Sequence, residues 1–149
     1  MSQAVKTSGE RRLVLQKDLT ELRRLAAFAR DAGRAQGLDD AQIFALELCL
    51  EEAAANIIKH SRAPGRPGGN ISVSISRAAR CLVARLEDDG APFDPTRVPV
   101  PPVAESLENA RVGGLGIHLI RRLATSMRYE RAKDCNRLTL EFGFESDKT

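Results

Sequence analysis

The sequence predicts an α+β fold, a two-layer α/β sandwich whose mixed, mostly antiparallel sheet carries helices on one face. Three observations predict it. Leu19, Leu22, Leu25, Ala26 and Ala29, and again Ile43, Leu46, Leu50, Ala53, Ala54 and Ile57, repeat at helical spacing. Ile71, Val73 and Ile75 alternate with period two, as do Leu82, Ala84 and Leu86, with residues 77–80 between them as the turn of an antiparallel hairpin. Leu138, Leu140, Phe142 and Phe144 repeat the alternation near the end of the chain. Helices and strands segregated in this way pack as two layers around one core.

Taken in order, Leu13, Val14 and Leu15 read as a short opening strand. Asp18 caps a first helix that Gly33 and Gly37 end, and Asp39 or Asp40 starts a second that reaches about Ser61. The stretch APGRPGGN, residues 63–70, is a turn-rich break before the hairpin. From Pro92 to Val112 the periodicity disappears. Pro95, Pro99, Pro101 and Pro102 exclude a strand or a full helix across its first half, and a long irregular segment in a small domain suggests a lid or a linker. Ile117, Ile120, Leu123 and Met127 mark a third helix beginning at Gly113, Gly114 and Gly116. Two strands follow, at residues 127–131 and 138–144.

The 149 residues suffice for one domain. The expected organisation is a disordered N-terminus over 1–10, a single domain over 11–145 with a lid at about 94–113, and a tail over 146–149. Net charge is only +3, with acidic and basic residues interspersed and aromatics at 4%, which argues against direct nucleic-acid binding. No apolar run is long enough to span a membrane. The three cysteines, Cys49, Cys81 and Cys135, are scattered and form neither a disulfide framework nor a zinc site, so a cytoplasmic protein is expected.

Three segments carry candidate chemistry. On the second helix Glu52, Asn56 and His60 are spaced i, i+4, i+8, with Lys59 beside them. Amide and carboxylate oxygens are ligands that magnesium accepts, a glutamate can activate a hydroxyl, and a lysine can meet a phosphate. On this helix alone, the row reads first as the wet face of an amphipathic helix. In the second segment the strand alternation continues to Asp88, which therefore faces the core. A buried carboxylate needs a hydrogen-bond partner, and an adenine amino group is suitable. Gly90 lets the backbone approach a flat ring. The same residues also make an ordinary turn, and both readings stand. In the third, Gly113, Gly114 and Gly116 open a helix, whose N-terminal N–H groups can receive phosphate. The alternative is a hinge or a plain helix entry, and the preceding lid favours a nucleotide. His118 reads as a structural or surface histidine.

In this order, the segments resemble the boxes of the GHKL ATPases, which share the Bergerat ATP-binding fold. EEAAANIIKHS is similar to their N box, EDDGAPFDP to the first glycine box, and GGLGIHLIRRLATSMRYERAKDCNRLTLEF to the second box and the strands after it. Within that group, PFDP, GGLGIHLIRR and the single-domain size resemble the anti-sigma-factor serine kinases of the RsbW and SpoIIAB type. The resemblance covers about residues 13–144. It implies ATP and magnesium as cofactors, and a serine on a STAS-domain anti-anti-sigma protein as substrate. It also implies sequestration of a sigma factor or similar regulator, and a homodimer. By position, Glu52 would be the general base and Asn56 the magnesium ligand. Asp88 would hold adenine beside Gly90, and Gly113, Gly114, Leu115 and Gly116 would lie at the phosphates, with Lys59 and His60 nearby. Arg111 approaches the arginine that some members place before the second box, although Val112 occupies that register. Two alternatives belong to other classes: an ATP-gated binding module with little kinase activity, and a detached histidine-kinase-like catalytic domain.

Overall fold

A computed structural model describes residues 8–60, 69–97 and 114–143. Five strands form one sheet in the order β1-β2-β3-β5-β4. They are β1 (Ser8–Gln16), β2 (Asn70–Arg77), β3 (Cys81–Asp88), β4 (Ser126–Ala132) and β5 (Cys135–Gly143). Every pairing among the described residues is antiparallel, so the sheet is more uniform than the mixed one expected. Three α-helices are described: α1 (Leu22–Ala35), α2 (Asp40–His60) and α3 (Gly114–Leu123). One apolar core joins Leu25, Leu46, Leu50, Ile57, Ile117 and Ile120 of the helices to Leu15, Ile71, Val73, Leu86 and Leu140 of the sheet. The helices therefore cover one face, as the alternation predicts.

Several boundaries differ from those read in the sequence. Residues 8–10, expected within the disordered N-terminus, belong to β1, where Ser8 pairs with Arg77 across a register shift and Gly9 takes a φ of 66°. Asp18 accepts from Thr20 N at 2.9 Å, but the helix it caps is a 3-10 turn, Leu19–Glu21, ahead of α1. Gly37 ends α1 with a φ of 82°. Gly33 does not end it. It lies inside the helix, where a Cβ would come within 3.0 Å of Ile43 Cγ1, so its bare backbone lets α1 approach α2 closely. The third helix stops at Leu123, and Met127 belongs to β4. Most of the expected lid and the 146–149 tail lie outside the described residues. The lid's beginning, Pro95–Arg97, is one 3-10 turn.

α2 is the spine of the helical layer. It is entered by a reciprocal cap, in which Asp39 Oδ1 accepts from Gln42 N and Gln42 Oε1 accepts from Asp39 N, both at 2.8 Å. Its stripe Ile43, Leu46, Cys49, Leu50, Ala53 and Ile57 is buried. No described helix is long and apolar enough to cross a membrane.

Burial, assisted by the charge of Glu52, pushes the Cys49 thiol up to about 12. Only ~10⁻⁴ of it is thiolate at pH 8, and the side chain is sealed in the core. Cys135 is exposed. Alkylation of the native protein followed by peptide mapping should modify Cys135 and reach Cys49 only after unfolding. Equal labelling of both would contradict the buried stripe of α2.

Candidate functional site

The C-terminal half of α2 and the C-terminal end of β3 converge on one pocket. Its wall includes Ala53, Asn56 and Ile57 from α2 and Leu86 and Asp88 from β3. Phe93 and Pro95 come from the following loop, and Tyr129, Asn136 and Leu138 from β4 and β5. The apolar members suit a flat ring, and Asp88, Asn56, Tyr129 and Asn136 supply polar groups to orient it.

Asp88 faces the core, as the alternation predicts, and is only 4% exposed. Asp89 points outward. Asp88 Oδ2 accepts from Lys17 Nζ at 3.0 Å and from Gly90 N at 2.9 Å. Asn136 Nδ2 adds longer contacts of 3.3 Å to Oδ1 and 3.4 Å to Oδ2. Asn136 is also the hub of the loop after β3. It donates to Ala91 O at 2.9 Å and accepts from Arg131 Nη1 at 3.1 Å, and from the Tyr129 hydroxyl. Arg131 Nη1 also donates to Gly90 O at 2.8 Å. The Asp-Asp-Gly segment is thus a turn, and Asp88 at its start also lines the pocket.

On α2 the predicted row separates. Asn56 is buried and lines the pocket, so it does not belong to a wet face. Its Nδ2 donates to the Glu52 carbonyl at 2.9 Å, which leaves the amide oxygen as the side chain's acceptor. Glu52 is half-buried beside the start of α3. A Cβ added to Gly116 would collide with its carboxylate and lie 3.0 Å from Cδ, so this pair defines a second corner of the site. Burial first, and then the charges of Glu47 and Glu52, raise the carboxyl of Glu51. His60 stacks on the ring of Phe93 at 4.7 Å, which ties it to a wall residue of the pocket. Lys59 is exposed and is not among the described residues of the wall.

Gly114 is the first residue of α3 and Leu115 the second, so both belong to the helix start that the sequence indicated. Arg111 and Gly113 lie outside the described residues. His118 is half-buried, with an Nδ1 that has no partner among the described residues. The sequence reading missed Lys17, Phe93, Tyr129, Arg131 and Asn136.

The architecture and the pocket define the class. Residues 15–142 match the histidine kinase-like ATPase domain, and the chain belongs to that family. It is similar to the serine/threonine-protein kinase BtrW of Bordetella bronchiseptica, with 38% identity over 97 residues, 65% of this chain and 68% of that protein. The fold is similar to that of a Mycobacterium tuberculosis structure containing the RsbU and RsbW domains of Rv1364c. There the TM-score is 0.65 at 17% identity, over 91% of this chain and 32% of the other, so this chain spans about a third of that protein's length. The histidine kinase domain of the blue-light activated histidine kinase EL346 of Erythrobacter litoralis has a TM-score of 0.52 at 16% identity, over 84% of this chain and 60% of that one.

Proposed function

We propose that this chain is an ATP–magnesium-dependent serine-protein kinase of the partner-switching type. Its substrate would be a serine on a STAS-domain anti-anti-sigma protein, and its second partner a sequestered sigma factor or similar regulator. The observation that carries the reading is the junction of two corners in one site: an apolar pocket with a buried carboxylate, Asp88, and a glutamate, Glu52, against the glycine start of α3. Kinship with a serine/threonine-protein kinase supports it.

Each part has a chemical role in this reading. Asp88 accepts from the adenine amino group, while Leu86, Ile57 and Leu138 pack against the ring. Glycines at the start of α3 leave space for the phosphates, and the helix N-terminus favours their charge. The amide oxygen of Asn56 suits a hard cation. No group of three or more His, Cys, Asp or Glu ligands gathers among the described residues. Magnesium would then be held by Asn56 and by phosphate and water, and it would neutralise phosphate charge. Glu52 takes the proton of the acceptor serine as its Oγ attacks the γ-phosphorus. A P–O bond forms to the serine, the bond to the bridging oxygen breaks, and ADP leaves with the electron pair. Phosphotransfer of this kind depends mainly on positioning and charge stabilisation.

Incubation with γ-labelled ATP, magnesium and candidate STAS-domain proteins should label a serine on one of them, and chelation of magnesium should stop it. ATP binding without transfer to any acceptor would favour an ATP-gated binding module. Transfer to a histidine would favour a histidine-kinase-like role.

A further inference from the structure

Lys17 is a charged residue sealed inside the protein. Directly after β1, it continues the strand's inward-facing series Leu13 and Leu15, and it is 5% exposed. Its ammonium pairs with Asp88, and the two side chains are 2% and 0% exposed. The partners are separated by 71 residues, so the sheet itself brings them together. The backbone holds the lysine as well, since Lys17 N donates to Gly69 O at 3.1 Å. A Cβ on Gly69, whose φ is 103°, would lie 3.7 Å from the Lys17 side chain. Burying two charges is costly, and such a pair is no more stabilising than apolar residues of similar volume. Stability alone therefore does not explain the choice of lysine here.

We propose that Lys17 is a positioning residue for nucleobase recognition, acting through Asp88. This rests on the reading of Asp88 as the adenine acceptor. The two short hydrogen bonds, from Lys17 and Gly90, both fall on Oδ2. They fix the plane of the carboxylate and supply its countercharge. A carboxylate offers about four lone-pair sites. Oδ1, which accepts from Asn136 Nδ2 at 3.3 Å, is the oxygen assigned to the exocyclic amino group in this proposal. Asn136 buttresses the same carboxylate from β5. Lys17 thus acts on base identity without touching the base.

The test compares ATP with purine riboside triphosphate, which lacks the 6-amino group, by calorimetry on the native chain and on Lys17→Met. Native protein should prefer ATP by about 10-fold or more, the worth of a hydrogen bond to a charged group. In Lys17→Met that preference should shrink by about 10-fold, through loss of ATP affinity, while the analogue binds within about 3-fold of native. Should Lys17→Met fail to fold, Lys17→Gln retains a buried donor without the charge and should show the same selective loss. Lys17→Arg, which keeps the charge, should restore part of the preference. If the native chain does not discriminate between the two nucleotides, the adenine role of Asp88 fails, and Lys17's role fails with it. If it discriminates and the variants do so equally well, or lose both nucleotides equally, only the role of Lys17 is overturned.

Discussion

Glu52→Gln is expected to slow phosphotransfer to the acceptor serine by roughly 10²–10⁴-fold, the usual share of a general base. ATP affinity should stay within about threefold of the native value. The amide keeps the size and planarity of the carboxylate, so the fit against Gly116 is retained and the helices need not move. It cannot accept the serine proton. Glu52 stands on a helix locked into the core by Leu46, Cys49, Leu50 and Ala53, so the substitution changes chemistry rather than position. Asn56 binds the Glu52 backbone carbonyl and not its carboxylate, which leaves the proposed magnesium ligand undisturbed. Single-turnover transfer from γ-labelled ATP measures the step, and calorimetry measures binding. Equal transfer rates would remove Glu52 from the mechanism. A parallel loss of ATP affinity would make it a nucleotide-binding residue instead.

Most of the fold was legible because it rests on periodicity. The α2 stripe and the β2–β3 alternation report burial directly, and Asp88 was found by extending the alternation one step past Leu86. The same extension would have found Lys17 after Leu13 and Leu15, and Asn136 before Leu138 and Leu140. Both are polar residues at the ends of apolar series, where a strand leaves the core and side chains meet across it. Their partners cannot be read from one strand, because the pairing of Lys17 with Asp88 needs the register of β1 on β2 and of β2 on β3. Taken on its helix alone, Asn56 reads as part of a wet face for a related reason. A helical wheel separates polar from apolar residues, but it does not show that β3 and the Phe93 loop close over the polar side. Gly33 was read as a stop because local propensity does not register the approach of Ile43. The start of β1 was missed because Ser8, Gly9 and Glu10 have no strand pattern of their own and are held by pairing with β2.

Asp88→Asn is expected to cost the fold about 3–5 kcal/mol, because it leaves the Lys17 ammonium buried without its countercharge. At a few degrees per kcal/mol in a domain of this size, the unfolding midpoint should fall by roughly 10–15 °C. If Asp88 reads adenine as proposed, ATP affinity should fall too, since the amide replaces half the acceptor capacity with a donor. These losses have different causes, and a second substitution separates them. In Lys17→Met/Asp88→Asn both charges are gone, and an apolar side chain of similar length fills the space beside Gly69. Replacing a buried pair in this way is often close to neutral, so the double variant should regain most of the lost stability. It should not regain ATP affinity, because the carboxylate is still missing. Thermal melts and calorimetry on the native chain, both single variants and the double variant complete the cycle. A double variant no more stable than Asp88→Asn would mean that the ion pair is not the source of the instability. One that recovers ATP affinity together with stability would mean that Asp88 supports the pocket's shape and does not read the base.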